Sequence, residues 1–361
     1  MRTGRNLLAV LLIGTTCATF SAVASAQSID CGVPSEADSN GDGWDDNLVS
    51  PAAIITSDSL IDCESLVGAG ARVLYGSQVI YNSTVESGAR VSRSSIYSSI
   101  VRSGARVQSS GLSDYSEIRA GARLQDGSYA DGQSIIGERV RVHDALVSES
   151  FIGPDSLILP GARVVGAELG EGVTLFRGAE VLSNGNYRGS TVVESGARIG
   201  EGAQLLGPLS LLPGATIGSN TEVFGYEFIG ENFYVGRDTK IRPGGDILGN
   251  VRIGSRVDLG AAHNLDTNAV IEDDVNISSE FTLGEDSLVR ASAFIDSRVE
   301  VGMRSTIGLR AIVGYNVVIG DDVLIGQDAQ IGEEASIGDG AVILPGAVVP
   351  ANAIVAAGST Y

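Results

Sequence analysis

From Leu169 onward every sixth residue is apolar, and the register runs to Tyr361. It holds 33 positions, of which 31 are Val, Ile or Leu and two are tyrosines, Tyr187 and Tyr361. No residue is gained or lost between Leu169 and Tyr361 when the chain is read this way. A period of six matches neither the 3.6 residues of a helix nor plain two-residue alternation. It predicts a short strand and a tight corner, repeated. A second position keeps the same phase. Four residues after the aliphatic comes a small or β-branched side chain, as at Ser305, Ala311, Val317, Val323, Ala329 and Ala335. Glycine often follows the aliphatic directly, as at Gly302, Gly308, Gly314, Gly320 and Gly326, where a side chain would clash. Two inward side chains per side fill a narrow core. Three sides make a triangular coil of 18 residues, and the coils stack as parallel strands. The expected class is all-β, a parallel β-helix.

The same register opens earlier, at Ile55, Ile61, Val67, Val73, Val79, Val85 and Val91, and then slips. It continues through Ile96, Val101, Val107, Leu112, Ile118, Leu124, Ala130, Ile136, Val142, Val147, Ile152, Ile158, Val164 and Leu169, with six of 14 steps shortened to five residues. Residues 51–168 therefore read as an irregular solenoid and 169–361 as a regular one. A motif of Ser or Ala followed by Gly-Ala-Arg recurs, ending at Arg90, Arg106, Arg123 and Arg198. The serine-rich stretches 92–99 and 109–116 read as irregular corners or a polar face.

The hexad, written [ILV]-G-x-x-[AVST]-x, resembles the hexapeptide repeat of the transferase hexapeptide superfamily, best known from acyltransferases. The resemblance implies a left-handed coil, a handedness that the general right-handed crossover preference would not supply. It also implies a histidine general base in any member that acylates a hydroxyl or amine. Only His143 and His263 exist. A γ-class carbonic anhydrase on this fold would need three zinc-ligating histidines per site, and two widely separated ones do not provide that pattern. His143-Asp144 resembles the His-Asp step of members that acylate sugar nucleotides, which makes His143 the alternative catalytic residue. The neighbouring histidine- and glycine-containing motif of those members is absent. His263 falls on the inward small position after Leu259 and reads as a buried structural imidazole. Family enzymes commonly carry an excursion from one coil, or a C-terminal helix, that builds the site. The register from Leu169 to Tyr361 leaves no room for one.

The first 50 residues differ. Arg2 and Arg5, the apolar run 7–13 and Ala24-Ser25-Ala26 compose a secretory signal over 1–26, with Gln27 near the mature start. A lipidated Cys17 is the alternative, although Gly14-Thr15-Thr16 does not resemble a lipobox. No later apolar run reaches membrane-spanning length. In an exported chain, Cys31 and Cys63 are expected to form one disulfide. Residues 27–50 hold Asp38, Asn40, Asp42 and Asp46 at alternating spacing around Gly43, with the Trp44 carbonyl available as a backbone ligand. Oxygen donors so spaced suit Ca²⁺. An EF-hand would place Glu where Val49 stands, and the stretch instead resembles a thrombospondin type 3-like calcium repeat.

The formal net charge is −20, and removing Arg2 and Arg5 with the signal makes it more negative. Nucleic acid and anionic membrane are thereby disfavoured as partners. Acidic pairs at Asp273-Asp274, Glu285-Asp286, Asp321-Asp322 and Glu333-Glu334 would stack into an acidic column, a solvated face or a cation site. Glu227 falls on an inward position, where a carboxylate needs a partner. The expected function is an exported, non-enzymatic structural or binding rod, outside the cell, at its surface or in the periplasm, that self-associates or meets a glycan or cell-surface partner. The alternative is a trimeric hexapeptide-repeat acyltransferase acting on a sugar or glycan.

Overall fold

A computed structural model describes residues 27–28, 49–50, 52–62, 64–183, 190–225 and 227–361. Every regular element among them is a β-strand of two or three residues. Every recorded strand pairing is parallel, and the strands fall into three sheets. This is the three-sided coil of the left-handed parallel β-helix. The chain divides into two compact units, residues 1–144 and 145–361.

In the first unit, Ile61 pairs with Val79, Val79 with Ile96, Ile96 with Leu112 and Leu112 with Ala130 on one sheet. On the second, Val67, Val85, Val101, Ile118 and Ile136 stack in the same way. On the third, Ile55, Val73, Val91, Val107, Leu124 and Val142 do so. In the second unit, Leu205, Val223, Ile241, Leu259, Ile277 and Ile295 stack at intervals of 18 residues. The aliphatic positions from Val67 to Leu169, five-residue steps included, are 0% exposed. Each such side chain contributes roughly 1.5–3 kcal/mol relative to exposure.

Backbone pairing accounts for the rest of the hexad. Leu324 N donates to Ala341 O at 3.0 Å and Gly326 N to Ile343 O at 2.8 Å, so a two-residue strand is tied to the next coil at both ends. The corners are tied as well, as where Asp328 N donates to Leu309 O at 2.9 Å. A Cβ on Gly308 would stand 2.6 Å from the Gly326 carbonyl carbon and oxygen. That glycine is required for close approach of coils, as its place in the repeat suggests, and not for a left-handed φ.

The left-handed residue lies elsewhere in the corner. In six-residue sides it comes three after the aliphatic, as at Arg310, Asn316, Asp322 and Asp328. In five-residue sides it comes two after, at Arg93, Ser98, Ser109 and Asp144 in the first unit and at Glu149 and Gly166 in the second. Moving the left-handed residue one place forward turns the chain in one residue fewer. The serine-rich stretches line these corners from inside. Ser83 N donates to Ser65 Oγ at 3.1 Å, Ser99 N to Ser83 Oγ at 3.3 Å and Ser116 N to Ser99 Oγ at 3.2 Å. They form a buried hydroxyl column that satisfies backbone donors.

One expectation fails. Leu169 pairs with Val193, Leu175 with Ile199 and Val181 with Leu205, so this coil takes 24 residues instead of 18. The core register steps from Val181 directly to Val193. The expected rung at Tyr187 falls within residues 184–189, and the coil is longer than expected by one whole repeat. Those six lie outside the described residues. An insertion equal to the period leaves the periodicity untouched, which is why the register conceals it.

Candidate functional site

His143 ends the strand Arg141–His143 on the third sheet of the first unit. Val142 points inward and is 0% exposed, so alternation turns the imidazole outward. Its strand neighbour one coil back is Gln125. The next residue, Asp126, takes a left-handed φ of 53° in the corner, followed by Gly127 at 89°. This double left-handed corner carries Asp126 to the imidazole: Nε2 of His143 lies 2.6 Å from Oδ2 of Asp126. The His143 side chain is 45% exposed.

A carboxylate on Nε2 fixes the ring and its tautomer, leaving Nδ1 as the nitrogen for proton transfer. Asp144, the sequence neighbour, is not the partner the pair uses. Asp126 was missed because it is distant in sequence, yet one coil back from His143 is Gln125, and Asp126 follows it. The signal lay in the coil length.

His263 is fully buried in the second unit, between Gly245 and Phe281 on neighbouring coils. Its Nδ1 lies 2.9 Å from Gly260 O. It is the structural imidazole its inward position predicts. Glu227 lies on a strand, but its side chain is outside the described residues. So are Cys31, Cys63 and the whole set Asp38, Asn40, Asp42, Trp44 and Asp46.

The acidic pairs do not form one column. Asp274, Asp322 and Glu334 each occupy the left-handed corner position, but their corner contacts run along different edges of the coil. Two of the four pairs meet an arginine from an adjacent coil. Arg256 Nη2 lies 2.8 Å from Asp274 Oδ2, and Arg304 Nη2 lies 2.8 Å from Asp322 Oδ2. The arginine hydrogen bonds hold the Asp274 and Asp322 carboxyls below their ordinary range. Asp273 and Asp321 accept backbone N–H bonds from Ser255 and Met303, both at 2.8 Å. Among the described residues no cluster of three or more His, Cys, Asp or Glu could hold a metal ion. Nor is any helix among them long and apolar enough to cross a membrane.

Residues 316–351 match the family model described as bacterial transferase hexapeptide (six repeats). No curated protein matches the chain. Solved structures do. A UDP-N-acetylglucosamine acyltransferase from Campylobacter jejuni is 14% identical over 53% of this chain and 67% of its own, with a TM-score of 0.20. A UDP-N-acetylglucosamine O-acyltransferase from Moraxella catarrhalis RH4 is 15% identical over 68% of this chain and 70% of its own, with a TM-score of 0.18. A UDP-N-acetylglucosamine acyltransferase from Francisella novicida is 14% identical over 63% of this chain and 66% of its own, with a TM-score of 0.15.

Proposed function

We propose that this chain, a hexapeptide-repeat β-helix, is an acyltransferase acting on a sugar or glycan hydroxyl, with His143 as its base. The transferase hexapeptide match supports the class. The single observation that carries the reading is the contact of 2.6 Å between His143 and Asp126 on an outward sheet face. In the proposed step, the acceptor O–H gives its proton to Nδ1 as its oxygen attacks the acyl carbonyl. The imidazolium then returns the proton to the leaving group as the acyl bond to the donor breaks. Asp126 holds the ring and stabilises the imidazolium. Assembly into a trimer is part of this proposal, as is export of the chain.

The test is acyl transfer from a thioester donor to a panel of sugar acceptors. His143→Ala is expected to lower transfer by about 10²–10⁴-fold, the span of general-base contributions. Unchanged turnover in that variant, or no transfer by the full-length protein with any donor, overturns the reading. The non-enzymatic binding rod is the second reading, and the arginine column described next favours it.

A further inference from the structure

The third sheet of the first unit carries a second feature. The residue before each aliphatic rung faces outward, and at five successive rungs it is arginine. Arg72 pairs in register with Arg90, Arg90 with Arg106, Arg106 with Arg123 and Arg123 with Arg141. All are exposed except Arg123, which is half-buried. Neighbouring strands are about 4.8 Å apart, so the column presents a guanidinium at each such step. In-register like charges are unfavourable on a sheet. Nothing in the coil requires them, because an outward position accepts any polar residue.

Elsewhere the chain does the opposite. Arg256, Arg304 and Arg310 each meet an aspartate one coil away. Arg102 is shared between Glu86 and Glu117. None of the five stacked arginines makes an ion pair among the described residues, in a chain whose net charge is −20. The column beside them runs Leu74, Ser92, Gln108, Gln125 and His143 and contains no acid, Asp126 meeting it only at His143. This face is therefore a cationic row without ion pairs of its own, flanked by hydrogen-bonding side chains at Gln108, Gln125 and His143.

We propose that the column Arg72, Arg90, Arg106, Arg123 and Arg141 binds a linear anionic polysaccharide bearing carboxylates, a polyuronate being the simplest case. Guanidinium matches carboxylate as a two-pronged donor, which lysine cannot do, and the stripe contains no lysine. A polyuronate carries one carboxylate per ring, at a repeat close to the strand spacing. Duplex DNA presents phosphates every 3.4 Å along a strand, out of step with the rungs, and the chain's overall charge repels it. Gln108 and Gln125, which are not buried, supply partners for ring hydroxyls. Binding at this face stands whether or not His143 transfers an acyl group.

Binding of the full-length protein to fluorescently labelled polygalacturonate is measured by anisotropy over a salt series. Duplex DNA of matched charge is the comparator. The wild type is expected to bind polygalacturonate at low salt and to weaken steeply as salt rises. The triple variant R90Q/R106Q/R123Q is expected to bind at least tenfold more weakly, with a shallower salt slope. R256Q/R304Q/R310Q, which removes paired arginines, is expected to leave affinity unchanged. R90K/R106K/R123K separates charge from geometry: it should keep the salt slope and lose affinity. Circular dichroism and thermal melting establish that each variant is folded. The proposal fails if polygalacturonate does not bind, if the glutamine triple binds as well as wild type, or if the DNA binds more tightly.

Discussion

Gly245 lies against His263 so closely that a Cβ on the glycine would stand 1.9 Å from the His263 carbonyl oxygen and 2.8 Å from its imidazole Cδ2. The two residues are matched: the one buried imidazole of the coil exists because the rung behind it has no side chain. The carbonyl belongs to a paired strand and cannot swing away. Gly245→Ala is expected to destabilise the protein by about 3 kcal/mol, the upper range for overpacking. Urea unfolding checks this, and a midpoint unchanged from wild type would refute the close approach. Replacing His263 by alanine in the G245A background should recover little, because the backbone oxygen remains.

Arg102 ties three successive coils, with Nη1 2.7 Å from Glu86 Oε1 and Nε 2.9 Å from Glu117 Oε1. The Arg102 hydrogen bond is the largest cause holding the Glu86 carboxyl below its usual range, against a smaller opposing effect of burial. A carboxyl lowered by folding contributes stability above its unfolded pKa and loses it as pH falls through its folded pKa. Arg102→Gln is therefore expected to lower stability by roughly 0.5–1 kcal/mol at neutral pH, the worth of partly exposed pairs. The difference from wild type should vanish at pH below the folded pKa of Glu86. Urea midpoints measured across pH 2–7 read this directly. A difference that persists unaltered at the acid end would assign the effect to packing.

Asp126 acts on His143 through one contact, so its replacement separates orientation from chemistry. Asp126→Asn keeps shape and removes charge. Under the acyltransferase proposal it lowers turnover about tenfold to a hundredfold, less than His143→Ala, because the ring loses the partner that orients it. Thermal stability should change little, because both groups are half-exposed. Equal turnover in wild type and D126N would remove Asp126 from the proposal.

Calcium binding by Asp38, Asn40, Asp42 and Asp46, with the Trp44 carbonyl, is a proposal with a built-in reporter, since Trp44 is the only tryptophan. Titration with Ca²⁺ is expected to change its fluorescence with a Kd on the order of 10⁻⁴–10⁻³ M, the range of extracellular modules. Asp42→Ala should abolish the change. A flat titration in the wild type counts against a calcium site.

The core is legible in the sequence because one aliphatic per side is a strong, local rule. Even the slipped half follows it, from Ile96 through Val107, Val147 and Val164, where a five-residue step changes the corner and not the rung. The location of His143 on an outward position is legible in the same way. Its partner is not, because Asp126 reaches it only through a corner with two left-handed residues in succession. The arginine column was visible as a recurring Gly-Ala-Arg motif at Arg90, Arg106 and Arg123. Its meaning required the register, which places Arg72, at the end of Ala69-Gly70-Ala71-Arg72, and Arg141, outside the motif, in the same line. The acidic pairs misled for the converse reason: similar offsets along the sequence fell on different corners, and two of the four pairs met arginines from adjacent coils.

The 24-residue coil between Leu169 and Val193 behaves like an in-frame insertion in a gene. Six added residues leave Ile199, Leu205 and every later rung facing the same way. A change of one residue is absorbed differently, by moving the left-handed residue within the corner, as at Arg93 and Ser98. The solenoid thus has two kinds of tolerance. Only a change of a whole hexad leaves no trace in the spacing of the rungs.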